Sequence, residues 1–140
     1  MLAWNRERRT GYYFTLPNVI FSLELSYGEI AVYAYLLYRE NRRSHECHPS
    51  YRTIGDALGM TKNTVKKYVG LLEEHELIIT RPSQIRTRDG SKRNGNLIYH
   101  IQPIVLAEQY RQRHLKDSAE LALERARVQR WQRAAQHRPA

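Results

Sequence analysis

"GMTKNTVKK", residues 59–67, is the stretch on which the reading of the chain turns. It holds two threonines, an asparagine, three lysines and one valine, and no acid. In front of it lies "YRTIGDAL" (51–58), a short helix by its pattern, with Ser50 as N-cap and Ile54, Ala57 and Leu58 as its apolar stripe. Gly59 ends that helix, because glycine takes a positive φ at a helix C-terminus without steric cost. Thr61 caps a further helix only two residues later. That helix is expected to run to about His75, with Val65, Val69 and Leu72 on one face and Tyr68 beside them.

Working upstream, Ser26 and Glu29 form a capping box, with Leu25 and Ile30 placed for a hydrophobic staple. The helix they open reads "EIAVYAYLLYREN", with Ile30, Tyr33, Ala34, Leu37 and Tyr38 predicted to form its buried face. Before it, "GYYFTL" is read as extended and "VIFSLEL" (19–25) as packed on the core. Between the first and second helices stands "HECHPS" (45–50), read as a short strand with Cys47 buried and ended by Pro49. His45, Cys47 and His48 are too close in sequence to converge on one ion, and zinc takes about four ligands, so no metal is expected.

Downstream, "LIIT" (77–80) and "NLIYHI" (96–101) read as paired strands. Between them, Asp89-Gly90 and Asn94-Gly95 are turn signals. Arg81, Arg86, Arg88, Lys92 and Arg93 stand there against one acid, Asp89, which makes a basic hairpin whose tip adds little to the core. After Pro103 the composition shifts to Ala, Arg, Gln, Glu and Leu, strong helix formers. Leu115, Ala119, Ala122 and Ala126 make one weak stripe, and Leu121, Val128 and Trp131 another. No single heptad register persists, so one or two helices with frayed last turns are expected rather than a long coiled coil.

The domain reading is a basic arm at 1–11, a folded module at 12–102 and a basic helical extension at 103–140. Two helices joined by a tight glycine-containing turn form a helix-turn-helix, and a strand pair with a basic tip adds a wing. The fold class is thus mainly α with a small β-hairpin wing: a winged helix-turn-helix with a C-terminal helical tail.

Lys and Arg number 23 against 14 acids, a net charge of +9, so the chain should attract a polyanion. No run reaches the roughly 18 apolar residues of a membrane span. The start turns basic before any apolar core appears, so no signal peptide is expected. One cysteine excludes an internal disulfide and suits a reducing cytoplasm. No glycine-rich phosphate loop, no zinc-protease helix and no nucleophile elbow occurs, so the expectation is a non-enzyme with no cofactor, no membrane partner and no small-molecule ligand evident.

In a helix-turn-helix the second helix enters the major groove and presents its first residues to base edges. Lys62, Asn63, Thr64, Lys66 and Lys67 face out if Val65 faces in. Asn pairs bidentately with adenine and Lys reaches guanine, while a helix N-terminus suits phosphate. Thr61 is a cap first and a phosphate ligand second. Ser50, Tyr51 and Arg52 open the bracing helix, with phosphate contact and pure capping both open. Arg86, Arg88, Lys92 and Arg93 belong to the wing, as DNA contacts or as a solvated loop. Arg6, Arg8 and Arg9 in the arm are weaker candidates, and Arg125, Arg127, Arg130 and Arg133 read first as a solvated helix face, with Trp131 at a packing contact.

"CHPSYRTIGDALGMTKNTVKKYVGLLEEHELI" (47–78) resembles the winged helix-turn-helix module of bacterial plasmid replication initiators and of phage and mobile-element regulators. The resemblance rests on Cys47, Pro49-Ser50, Ile54, Ala57, Leu58-Gly59, Thr61, Thr64-Val65, Leu72-Glu73-Glu74 and Leu77-Ile78. "YYFTLPNVIFSLELSYGEIAVYAYLLY" (12–38) is similar to the arm and first helix of initiators from low-GC Gram-positive bacteria. The resemblance implies sequence-specific double-stranded DNA binding in a bacterial cytoplasm at nucleoid or plasmid, and the first helix and the tail are both candidate surfaces for a homodimer. A transcriptional regulator of a plasmid or mobile element is expected first and an origin-binding initiator second. The third reading is a protein-interaction module in a replication or conjugation complex. The module usually has Gly where Glu76 stands, so a different helix end is expected there.

Overall fold

The structure, a computed structural model, describes residues 13–136, with only the backbone of Arg93. The basic arm with Arg6, Arg8 and Arg9, and the first two residues of "GYYFTL", lie outside the described residues. A short 3-10 turn, Asn18–Ser22, leads into α1 (Tyr27–Arg39), β1 (Glu46–Cys47), α2 (Tyr51–Leu58) and α3 (Lys62–Glu74). Then come β2 (Ile78–Arg81), β3 (Gln84–Arg86), β4 (Lys92–Asn94), β5 (Ile98–Ile101) and α4 (Ile104–Gln136). This is a winged helix-turn-helix followed by a C-terminal helix.

Three caps set the helix starts. The Ser26 side chain accepts from the Glu29 amide at 3.3 Å while Glu29 reaches back to Ser26, the reciprocal capping box. Ser50 accepts from the Thr53 amide at 3.0 Å, and Thr61 from the Thr64 amide at 3.3 Å. Gly59 lies in the left-handed region at φ 70, so α2 stops there and α3 starts three residues on.

The core joins Ile20 and Leu23 to Val32, Tyr33 and Leu36 of α1, Ile54 of α2, and Val65, Val69 and Leu72 of α3. Leu77, Ile78, Tyr99 and Ile101 close it from the sheet side. Ala107 of α4 is also buried, so the core takes in the first turns of the last helix.

The buried face of α1 is rotated from the expected one. Gly28, Glu29, Val32, Tyr33 and Leu36 are buried, whereas Ile30, Ala34 and Leu37 are half-buried and Tyr38 is 60% exposed. The cause is Gly28. A Cβ there would overlap the Tyr68 ring, so α1 and α3 approach along the Gly28, Val32, Leu36 row, an i, i+4 ridge. In α2 the expected stripe is also corrected: Ala57 is exposed, and Gly55 takes the buried place beside Ile54. The chain after α2 folds back over Gly55, whose carbonyl accepts from the Met60 amide at 2.9 Å.

At the end of α3 the sequence departs from the glycine of the resemblance, but the backbone does not. Glu76 has φ 59. Its amide donates to the Glu73 carbonyl and that of Leu77 to the Leu72 carbonyl, both at 3.0 Å. This is a Schellman end, with Leu72 and Leu77 both buried as its apolar contact. The expectation of a different helix end is therefore corrected; glutamate simply bears the left-handed conformation.

The main sheet is antiparallel in the order β1-β5-β2, with Ile78 opposite Ile101 and Cys47 opposite Tyr99. The hairpin continues as a second ladder, β3 against β4, with Gln84, Ile85 and Arg86 opposite Asn94, Arg93 and Lys92. Its reversal lies at Gly90, φ 82. Asn94-Gly95 is not a turn: Asn94 stays in the ladder, and the Gly95 amide donates to the Ser83 carbonyl at 2.8 Å where the Ser83 and Ile85 side chains fill the place a Cβ would take. The tail is one continuous helix to Gln136, not two. None of the helices described is long and apolar enough to cross a membrane.

Candidate nucleic-acid interface

The burial of Val65, Val69 and Leu72 sets the outer face of α3. Lys62, Asn63, Lys66, Lys67 and Gly70 are exposed on it. Asn63, Lys66, Lys67 and Gly70 recur at steps of three, one and three, which is one helical stripe. Among the described residues, no hydrogen bond or ion pair engages the side chains of Lys62, Asn63 or Lys66. The Lys67 ammonium stands 5.6 Å from the centre of the half-buried Tyr68 ring, a weak cation–π contact. Thr64 is half-buried, and its hydroxyl lies 2.9 Å from that of Thr61, so both hydroxyls belong first to the cap.

No acid occurs between Asp56 and Glu73. Both acids are engaged: Asp56 lies 3.9 Å from Arg52 on the exposed side of α2, and Glu73 accepts from the Thr80 amide at 2.9 Å, fastening α3 to β2. The start of α3 thus combines its helix dipole with lysines and no local counter-charge, a setting that attracts anions.

Gly70 is a member of this face that the sequence reading passed over. It sits mid-helix with open space beside it, so no packing demands a glycine. Alanine would hold the helix better by about 1 kcal/mol. A bare backbone at that point leaves room for close approach of a partner.

At the start of α2, Ser50 and Thr53 cap each other with hydroxyls 2.8 Å apart. Tyr51 is half-buried, and burial raises its phenol above the ordinary range, so it remains a hydrogen-bond donor. Arg52 is exposed. Asn96 Nδ2 donates to the His48 carbonyl at 3.2 Å, tying the base of the wing to the turn that enters α2.

In the wing, Arg86, Arg88 and Lys92 are exposed, and the Arg93 side chain lies outside the described residues. Asp89 keeps its charge but makes no ion pair with them among the described residues. Its carboxylate accepts from the hydroxyls of Thr87 and Ser91 and from the Ser91 amide at 3.0 Å. Those bonds, that of Thr87 first, hold its pKa down to about 2. Asp89 is a turn residue. Arg81, at the root, pairs with Glu46 at 2.8 Å and is not free for a ligand.

The histidines and cysteine of "HECHPS" do not converge. The Cys47 thiol is buried and directed at the Leu36 carbonyl at 3.6 Å, and burial pushes it up to about 11. His45 pairs with Glu40 at 3.7 Å, and His48 is exposed. Among the described residues no group of three or more His, Cys, Asp or Glu could hold a metal.

Residues 23–78, from the buried Leu23 to the first residue of β2, match the family model of a helix-turn-helix domain. No curated protein matches the chain. Among solved structures, the chain is similar to one described as a possible transcriptional regulator from Methanosarcina mazei Go1, with 18% identity and a TM-score of 0.51. The match covers 77% of this chain and 82% of that one. At that identity the likeness is one of fold, and it extends beyond the helix-turn-helix segment.

Proposed function

We propose that this chain binds double-stranded DNA sequence-specifically through α3 and the wing. In this reading it acts in a bacterial cytoplasm as a transcriptional regulator of a plasmid or mobile element, without catalytic activity or cofactor. The observation that carries the reading is the outer face of α3. Lys62, Asn63 and Lys66 have no intramolecular partner among the described residues, and no acid lies near them in sequence. Phosphate affinity comes from the cations by counterion release, and base choice from Asn63 and the neighbouring lysines. Arg86, Arg88, Lys92 and Arg93 extend phosphate contact through the wing, with Ser50, Tyr51 and Arg52 at the start of the brace. The helix-turn-helix match and the fold likeness to a possible transcriptional regulator support this reading.

A second reading keeps the chemistry and changes the purpose: an initiator-type binder of origin repeats, favoured by the resemblance of residues 12–38. Selection of bound sequences from random duplex DNA tests both. Enrichment of one motif, altered by Asn63→Ala, is the expected result. A palindrome indicates a regulator and tandem direct repeats an origin binder. Failure to enrich any motif would contradict specific binding.

A further inference from the structure

α4 leaves the domain after its first turns. Ala107 is buried, and Arg111 pairs with Glu24 at 2.7 Å, but every described residue from 112 onward is exposed. Residues 112–136 form a helical arm of about 37 Å at the α-helical rise. Leu121, Leu123 and Val128 stand open on it, and Trp131 is 72% exposed.

The charges of this arm are sorted into two blocks. Arg113, which pairs with Glu76 of the domain at 3.7 Å, and Lys116 come first; from 117 to 124 the charged residues are Asp117, Glu120 and Glu124, and from 125 to 136 they are Arg125, Arg127, Arg130 and Arg133, so the two opposed blocks lie within 117–133. Within one helix this order achieves little. It yields one exposed pair, Arg127 to Glu124 at 2.6 Å. The helix dipole favours cations only in the last turn, where Arg133 sits. Asp117, Leu121, Glu124, Val128 and Trp131 follow one another at steps of four, three, four and three, and so share a face. Glu120 and Arg127 line one edge of that face and Arg125 the other.

We propose that this segment, 117–133, docks antiparallel on the same segment of a second copy. With the crossing between residues 123 and 124, Asp117 and Glu120 of each copy lie along the other copy's Arg130 and Arg127, while the two Glu124 side chains meet at the crossing and cost part of the gain. Glu120 of each copy then faces Arg127 of the other, and the shared face covers Leu121, Val128 and Trp131. A parallel pair would instead set acid on acid and arginine on arginine. The antiparallel contact is isologous and closes as a two-fold dimer. Its face is half charged and too short for a long coiled coil, so the dimer is modest in affinity and weakened by salt. Over 117–133 the three acids nearly balance the four arginines, so this segment suits a second copy better than a nucleic acid. The inference does not rest on DNA binding.

The full chain tests it by sedimentation equilibrium without DNA, helix content being checked by circular dichroism. One variant carries Asp117→Lys, Glu120→Lys and Glu124→Lys; the other carries Arg125→Glu, Arg127→Glu, Arg130→Glu and Arg133→Glu. The wild type is expected to be dimeric at low salt and to dissociate as salt rises. Each variant alone should self-associate about a hundredfold more weakly, and the two mixed should form a heterodimer. A monomeric wild type, variants that dimerise unchanged, or a mixture that fails to pair would each overturn it. So would an arginine-block variant that loses duplex affinity when the wild type is monomeric, which would assign the block to nucleic acid.

Discussion

Arg86 and Lys92 stand directly opposite one another across the β3–β4 ladder, both exposed. Like charges in that position cost stability. The ladder bears this cost at the tip of a wing whose one acid is taken up by the turn. An acid at either position would relieve it.

Lys92→Glu should therefore act in opposite directions on stability and binding. The melting temperature should hold or rise, with up to about 1 kcal/mol gained from the cross-strand pair. Duplex affinity should fall, and its salt dependence should flatten. Thermal melts and binding isotherms at several salt concentrations check both; lower stability with unchanged binding would remove the wing from the interface.

Gly70→Ala makes a parallel case on α3. With nothing near the glycine, the alanine should stabilise the domain by about 1 kcal/mol. If the bare backbone serves close approach, duplex affinity should drop despite the gain. A variant that is more stable and binds equally well would make Gly70 incidental.

Gly55 and Glu76 should respond oppositely to exchange. A Cβ at Gly55 would collide with the Met60 carbonyl oxygen, a backbone atom that cannot swing away. Gly55→Ala should cost about 1–3 kcal/mol, as overpacking does. Glu76→Gly relieves a left-handed residue at φ 59 and should gain about 0.5–1 kcal/mol, less than the full conformational penalty because glycine also loosens the unfolded chain. Chemical denaturation of both variants measures the two signs.

Cys47 offers a probe of the core. Its thiol pKa is raised to about 11 from an ordinary value of 9.0. A raised pKa on an acid means the folded state holds the proton more tightly. The associated stability is present below pH about 9 and is lost as pH rises towards 11. At neutral pH, alkylation of Cys47 should be slow and should follow the unfolding equilibrium, speeding up when Leu36 or Tyr99 is truncated. Rapid alkylation of the native chain would contradict the burial.

The helix-turn-helix itself was legible because its signals are local. Ser26, Ser50 and Thr61 each cap within three residues, Gly59 turns the chain where it stands, and Val65, Val69 and Leu72 keep a simple period. What misled was non-local. The α1 face depends on Gly28 meeting the Tyr68 ring, forty residues away, and the α2 stripe on Met60 folding back over Gly55. Glu76 hid a left-handed turn because glutamate rarely takes one, and only burial of Leu72 and Leu77 on either side of the turn explains why it does. Asn94-Gly95 carries a turn's composition, but Gly95 makes room for the Ser83 and Ile85 side chains. At the candidate site, the lysines and Asn63 could be placed outward from Val65 alone. Gly70 escaped notice, although a glycine in mid-helix was the available signal.

The salt dependence of duplex binding tests the central claim most directly. Lys62, Lys66 and Lys67 changed together to Ala remove three exposed cations from α3 and leave its cap and buried face intact. If they meet phosphates, affinity should fall, and the slope of log K against log salt should shrink by roughly 2–3. An unchanged affinity and slope in a folded variant would contradict the account and take α3 out of the interface.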